Sequence, residues 1–215
     1  RGKYSPAVQR YLKWAERTAA KAADLLVADH PEMARYAARY AKPCAEIAYG
    51  VDDPAPADLK ILSRFGLQPS SYALIIARLV PENHVRLAAE ALSPHCPVVV
   101  VGPTNNPEGR ALEGLGNVQL LGAQFDAEVL NALRAGCGLY VHGHSAGGTN
   151  PGLLQAMAAG CAIAAHDNVF NRGILGEAAA YFTATEAHKG LAAAWAGRDS
   201  LYRDHQARLE QGFRW

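Results

Sequence analysis

Long apolar runs are missing from this chain: no stretch approaches the ~18 residues that a membrane-spanning helix needs, and no secretory leader is read at its start. Charge of one sign is missing too. The 21 Lys and Arg stand against 20 Asp and Glu, dispersed rather than in blocks, which leaves no basic field for nucleic acid. Cysteine is scarce, with four in 215 residues (Cys44, Cys96, Cys137, Cys161) and no C-x-x-C pair. Each lies beside apolar residues, so buried free thiols in a reducing cytoplasm are expected, and with them a cytoplasmic location. There is no G-x-G-x-x-G after the first strand of the expected sheet and no P-loop lysine, which disfavours ordinary dinucleotide and Walker-type binding. His142 and His144 stand two apart, but no carboxylate or third His joins them at ligand spacing, so neither a metal nor a cofactor is expected.

What is present is a large apolar fraction, 50% of the residues, enough for a sizeable core. Apolar residues recur at helical spacing from Ser5 to Ala23. A strand at Leu25–Ala28, a helix at Pro31–Tyr40 and a strand at Glu46–Tyr49 follow. Beyond the Pro- and Gly-punctuated segment 50–56, strands are expected at 72–77, 97–101, 118–121, 139–142 and 162–165. Helices are expected at 85–92, 127–135, 153–159 and 171–178. The strands are apolar throughout rather than alternating, as in a parallel sheet covered on both faces. The order βαβαβ predicts an α/β fold with a Rossmann-like doubly wound parallel sheet, in which ligands bind beyond the carboxyl ends of the strands. Those ends here are Ala77-Arg78, Gly102-Pro103, Gly122-Ala123, His142 to Asn150 and His166 to Asn168. The polar and Gly-rich segments thus share one edge.

The richest of them runs Tyr140-Val-His-Gly-His-Ser-Ala-Gly-Gly-Thr-Asn-Pro-Gly-Leu-Leu-Gln-Ala-Met-Ala-Ala-Gly160. A short strand enters a loop with two His and several Gly, and a helix starts at Pro151. Asn150 is a good N-cap and Pro suits the first helical turn. A Gly-rich turn at a helix N-terminus presents backbone N–H groups backed by the helix dipole, a geometry that binds phosphate. A phosphorylated ligand is therefore expected against Gly147, Gly148, Thr149, Asn150, Pro151, Gly152 and Leu153. Arg78, after a fully apolar strand, matches a diphosphate oxygen; the plain alternative is a surface ion pair with Glu82.

From about Ala77 to Phe182 the order of segments resembles the C-terminal, donor-binding half of a retaining GT-B glycosyltransferase. The pieces that carry the likeness are Ala77-Arg-Leu-Val-Pro-Glu-Asn83, Val98 to Gly102, Asn117-Val-Gln-Leu-Leu-Gly122, the Gly147 to Gly160 run and Gly176 to Phe182. The Gly-Gly-Thr-Asn-Pro segment looks most like the version in bacterial polysaccharide and rhamnosyl-type transferases. The resemblance implies a division into residues 1–50 (end of the acceptor domain and interdomain crossover), 51–200 (the donor-binding domain) and 201–215 (a C-terminal helix), with a further N-terminal region expected outside this sequence. It implies a nucleotide-diphosphate sugar as donor, a glycan or lipid-linked acceptor, and peripheral membrane association through the missing domain.

Site residues implied by the resemblance depart from the family pattern. Its first Glu, which contacts the donor sugar in relatives, aligns with Gly147, and its second, which holds the ribose, aligns with Gln155. The Lys of its Pro-Glu-Lys segment is Asn83 or, shifted by one, His84. Leaving-group neutralisation then rests on Arg78, the loop amides and the helix dipole. Gly122 and Gln124 match the segment that frames the nucleobase, Gly102 ends a strand on the same edge, and Glu177 follows the family's loop beyond the next strand. Against these roles stand plain ones: helix capping for Thr149 and Asn150, an exposed polar position for Gln155, a strand-terminating turn for Gly122 to Gln124. His142, His144 and His166 line the pocket or serve structure, and Tyr36, Tyr40 and Tyr49 read as packing residues. The function expected is sugar transfer in polysaccharide biosynthesis. The alternatives are a catalytically degenerate nucleotide-sugar binding module and a sugar-nucleotide epimerase of similar architecture.

Overall fold

The computed structural model describes residues 4–201 and 205–214. Of the C-terminal helix expected over 201–215, residues 202–204 and Trp215 lie outside the described residues. The chain divides into two compact units, one reaching to Tyr49 and one starting at Gly50.

The first unit holds α1 (Pro6–Ala22), β1 (Leu26–Ala28), α2 (Pro31–Ala37) and β2 (Cys44–Glu46). Ser5 and His30 cap the two helices, each followed by Pro in the first turn. β1 and β2 pair in parallel, Leu26 opposite Cys44. The second strand thus lies earlier than the expected 46–49, because Ile47 N–H closes the ladder on Ala28. Cys44 is exposed, which corrects the expectation of four buried thiols; Tyr49 is exposed rather than packed, whereas Tyr36, though partly exposed, meets Tyr40 edge-on and carries Arg39 on its ring. Tyr40 donates a hydrogen bond to Glu16.

The second unit is a six-stranded parallel sheet with helices on both faces. In chain order come β3 (Ala73–Ile76), α3 (Val85–Leu92), β4 (Val98–Val101), α4 (Pro107–Leu112), β5 (Val118–Leu120) and α5 (Ala127–Gly136). Then follow β6 (Leu139–His142), α6 (Pro151–Ala158), β7 (Ile163–His166), α7 (Val169–Leu175), β8 (Ala180–Phe182), α8 (Ala187–Ala196) and the short α9 (Gln206–Glu210). The strand order is β5-β4-β3-β6-β7-β8. The Rossmann-like doubly wound sheet expected from the sequence is present. Both faces are buried, which is why the strands carry apolar residues continuously. Leu74, Val99, Val101 and Tyr140 enter one core with Leu133, Leu153 and Met157. Their strand neighbours Ile75, Val98, Val100 and Leu139 enter the other with Ala88, Leu92 and Leu191.

This order marks a candidate place for a ligand. The chain builds outward from β3 through β4 to β5, then returns past β3 to lay down β6 on its other side. Strand order reverses between β3 and β6, and the crevice beyond their carboxyl ends is the switch point where doubly wound sheets bind ligands. No helix among the described residues is long and apolar enough to cross a membrane.

Candidate functional site

Arg78 follows β3 and the Gly143–Asn150 loop follows β6, so the two strands flanking the switch point deliver the strongest phosphate-binding candidates. Arg78 is exposed and enters no ion pair among the described residues, neither with Glu82 nor with another carboxylate. A guanidinium held at a strand end without a carboxylate is available to an anionic ligand.

Side chains and backbone stitch the two strand-end loops together. Ser145 donates both its N–H (3.0 Å) and its hydroxyl (2.9 Å) to the carbonyl of Glu82. His84 Nδ1 lies 2.9 Å from the Gly143 carbonyl. A Cβ on Gly143 would come within 2.2 Å of the Asn83 carbonyl oxygen, so the approach needs glycine. Asn83 itself is 4% exposed and donates from Nδ2 to the Arg78 carbonyl at 2.9 Å; its amide shapes the turn that carries Arg78. On the other flank Asn168 and Asn171 each donate to the His144 carbonyl at 3.0 Å.

The bare amides lie slightly earlier than the sequence led us to expect. Asn150 caps α6, its Oδ1 accepting from Gly152 (2.9 Å) and Leu153 (3.3 Å). Those two N–H groups are satisfied within the chain, as a good N-cap does. Ala146, Gly147, Gly148 and Asn150 donate from their backbone to nothing among the described residues. Gly147 has φ +135°, a conformation that side chains avoid. Thr149 is buried. Together with His142 and His144 the loop lines a small cavity of about 80 Å³.

Four imidazoles stand beside it in two stacked pairs: His142 on His144 with ring centroids 4.3 Å apart, and His84 on His166 at 4.6 Å. Burial pushes the His142 ring well below the ordinary imidazole value, with the neighbouring His144 adding to the effect. Burial likewise brings His144 down to about 4, helped by the charge of Arg78. His166 is lowered by burial and by His84. Both members of the first pair are therefore neutral near pH 7. No group of three His, Cys, Asp or Glu among the described residues is placed to hold a metal ion.

A larger cavity of about 680 Å³ runs along α5 and α6 against the segment Gly50–Asp58, with Asn131, Arg134, Pro151 and Gln155 on its wall. Gln155 is not free there: Arg134 Nη2 donates to its Oε1 at 2.6 Å. Arg134 is 8% exposed, so it was invisible as a site residue in the sequence, where it reads as a routine basic residue ending a helix. Phe125, in the loop between β5 and α5, is 91% exposed.

The remaining expected residues scatter along the same edge. Gly102 permits β3 and β4 to close, since a Cβ would meet the Ala77 carbonyl oxygen at 2.0 Å. Gly122 has φ +69° and accepts from the Gly102 N–H at 2.9 Å. Gln124 folds onto its own turn, Nε2 donating to Leu121 at 2.9 Å. Glu177 projects into solvent near Arg172.

No protein-family model and no curated protein sequence matches the chain. Solved structures do. Sucrose-phosphate synthase from Thermosynechococcus elongatus superposes over 98% of this chain and 60% of its own length with a TM-score of 0.81 at 16% identity. The Anabaena protein HepE, solved with UDP and glucose, superposes over 98% of this chain and 65% of its own, TM-score 0.78 at 18% identity. The α,α-trehalose 6-phosphate synthase from Burkholderia multivorans gives 0.70 at 13% identity over 98% of this chain and 61% of its own. The fold is thus the Rossmann-like one of GT-B glycosyltransferases, and the chain spans under two thirds of the length of these structures.

Proposed function

We propose, from a fold shared with GT-B glycosyltransferases, that this chain is the donor-binding part of an enzyme that transfers sugar from a nucleotide diphosphate to a glycan or lipid-linked acceptor. The observation that carries the reading is the convergence at the switch point of an unpaired Arg78 with the bare amides of Ala146, Gly147, Gly148 and Asn150. Charge that develops on a departing diphosphate meets donors already fixed in place. Preorganised stabilisation of that kind is commonly the largest catalytic effect an enzyme supplies. HepE was solved with UDP and glucose, and a nucleotide-sugar donor of that class suits these donors. The nucleoside end then reaches toward Gln155 and the cavity along α5 and α6, whose volume is in the range of small-molecule sites.

A second reading is favoured by one specific feature. Neither Gly147 nor Gln155 supplies a carboxylate, and Gln155 is already engaged by Arg134. A binding module that keeps the nucleotide sugar without transferring it fits those two positions. Thermal shift of the chain against nucleoside diphosphates and their hexose esters tests both readings. Saturating ligand at a hundredfold excess over Kd should raise stability by about 2.7 kcal/mol. No shift with any of them would remove the donor-site reading. Binding without turnover by the whole protein, supplied with acceptor extracts, would favour the module.

A further inference from the structure

The small cavity behind the loop has a floor and a rim of different chemistry. At the rim stand the bare amides of Gly147 and Gly148, with Arg78 nearby. At the floor lies His142, 1% exposed, with neither ring nitrogen meeting a partner, and His144, whose Nδ1 is buried and likewise unpartnered. Buried polar groups without partners are rare in native proteins, and each calls for an explanation such as a missing ligand. Three orphaned nitrogens on two stacked rings around one cavity point to a ligand that supplies hydrogen bonds.

A neutral imidazole carries one donor and one acceptor nitrogen. A phosphate offers only acceptor oxygens to these rings unless one of them first gains a proton, and burial, the stacked neighbour and Arg78 all oppose that gain. Hydroxyl groups both donate and accept, so they satisfy a neutral ring without any change of charge. The cavity, about 80 Å³, has room for roughly two or three groups the size of a water molecule. It admits one edge of a sugar ring rather than the whole ring. We propose that His142 and His144 form the subsite that reads hydroxyl groups of the transferred sugar, just beyond the diphosphate. This rests on the donor-site reading above and adds to it the residues that select the sugar.

The test is calorimetric titration of the chain with uridine, guanosine and deoxythymidine diphosphates, each paired with its hexose ester. His144→Phe keeps a flat ring stacked on His142 but removes both nitrogens. His142→Gln keeps a donor and an acceptor in the buried position and serves as the variant nearest in chemistry. With the base that binds, the hexose ester should bind the wild type with a tenfold or greater advantage over what His144→Phe retains. The change for the bare diphosphate should be the smaller of the two, and His142→Gln, which keeps a donor and an acceptor, should retain more of the hexose advantage than His144→Phe does. The imidazole ¹⁵N signals of His142 and His144 should move on adding the hexose ester and stay near their free positions with the diphosphate. Equal losses for both ligands in His144→Phe, or histidine signals indifferent to the hexose, would overturn the subsite while diphosphate binding still stood. Failure of every diphosphate to bind the wild type would bring down the donor-site reading, and this inference with it.

Discussion

Arg134 and the His142–His144 pair are the residues whose physics is most exposed to test. Arg134 is buried, its Nε has no partner, and its bond to Gln155 is to a neutral amide. Gln155→Glu would place a carboxylate where Oε1 now accepts, converting the bond to a charge-assisted one. We expect a stability gain on the order of 1 kcal/mol, read as a higher denaturant midpoint with an unchanged slope. A lower midpoint would mean that a carboxylate at this exposed position does not pair with Arg134 in place of the amide. The histidines set the pH dependence. Their folded values lie below the unfolded one, so between about pH 6.5 and the His144 value of about 4 the unfolded chain binds more protons. Stability is then fully present above pH 6.5 and is lost as the pH falls through that window. With both protons taken up only on unfolding, the slope is on the order of 3 kcal/mol per pH unit. Urea unfolding at pH 7, 6 and 5 should follow it, and replacing both rings should flatten it. A flat wild-type profile would mean that the imidazoles are not held neutral by burial. The histidine pair stands two apart in the sequence, but the Arg134–Gln155 bond was not readable there, because its partners are 21 positions apart and meet only once α5 and α6 pack.

At the scale of elements, the capping of α6 and the diphosphate binding proposed for the loop before it can be separated by one substitution. Asn150→Ala removes the cap on Gly152 and Leu153 and should cost about 1 kcal/mol of stability. It also frees those two amides, so diphosphate affinity should hold or rise while the melting temperature falls. A large loss of affinity in a folded protein would mean that the Asn150 side chain itself contacts the ligand. Gly143→Ala should act differently, since its Cβ meets the Asn83 carbonyl and forces the two strand-end loops apart. Both stability and diphosphate binding should suffer. The sequence made α6, its cap and β3 to β7 legible, because the Asn-Pro signal is local and strands buried on both faces read as continuous apolar runs. It hid α4, β8 and α8. β8 is three residues long, and α8 has Gly190 mid-helix and no side-chain cap, so propensity argues against it. Packing overrides propensity there: α8 lies against α3, and a Cβ on Gly190 would sit a tight 3.1 Å from Phe182 Cβ.

For the whole molecule, the doubly wound order decided more than any motif. Reversal between β3 and β6 brings together Arg78 and a loop about 70 positions later, which a linear pattern supports only through the rule that ligands gather at strand carboxyl ends. Because the chain spans 60% and 65% of two of the structures it overlays, we expect it to bind donor without transferring sugar by itself. Orienting both reactants supplies roughly 7–11 kcal/mol of barrier lowering, and a donor part alone orients one. Acceptor-dependent transfer by residues 1–215 would refute that expectation. The diphosphate site at the switch point is tested most directly by titrating wild-type chain and Arg78→Ala with a nucleoside and with its diphosphate in a calorimeter. Loss of the guanidinium should weaken the diphosphate by on the order of 1.5–3 kcal/mol and leave the nucleoside nearly unchanged. Equal weakening of both ligands, or a diphosphate that binds the variant as well as the wild type, would contradict a phosphate-binding Arg78.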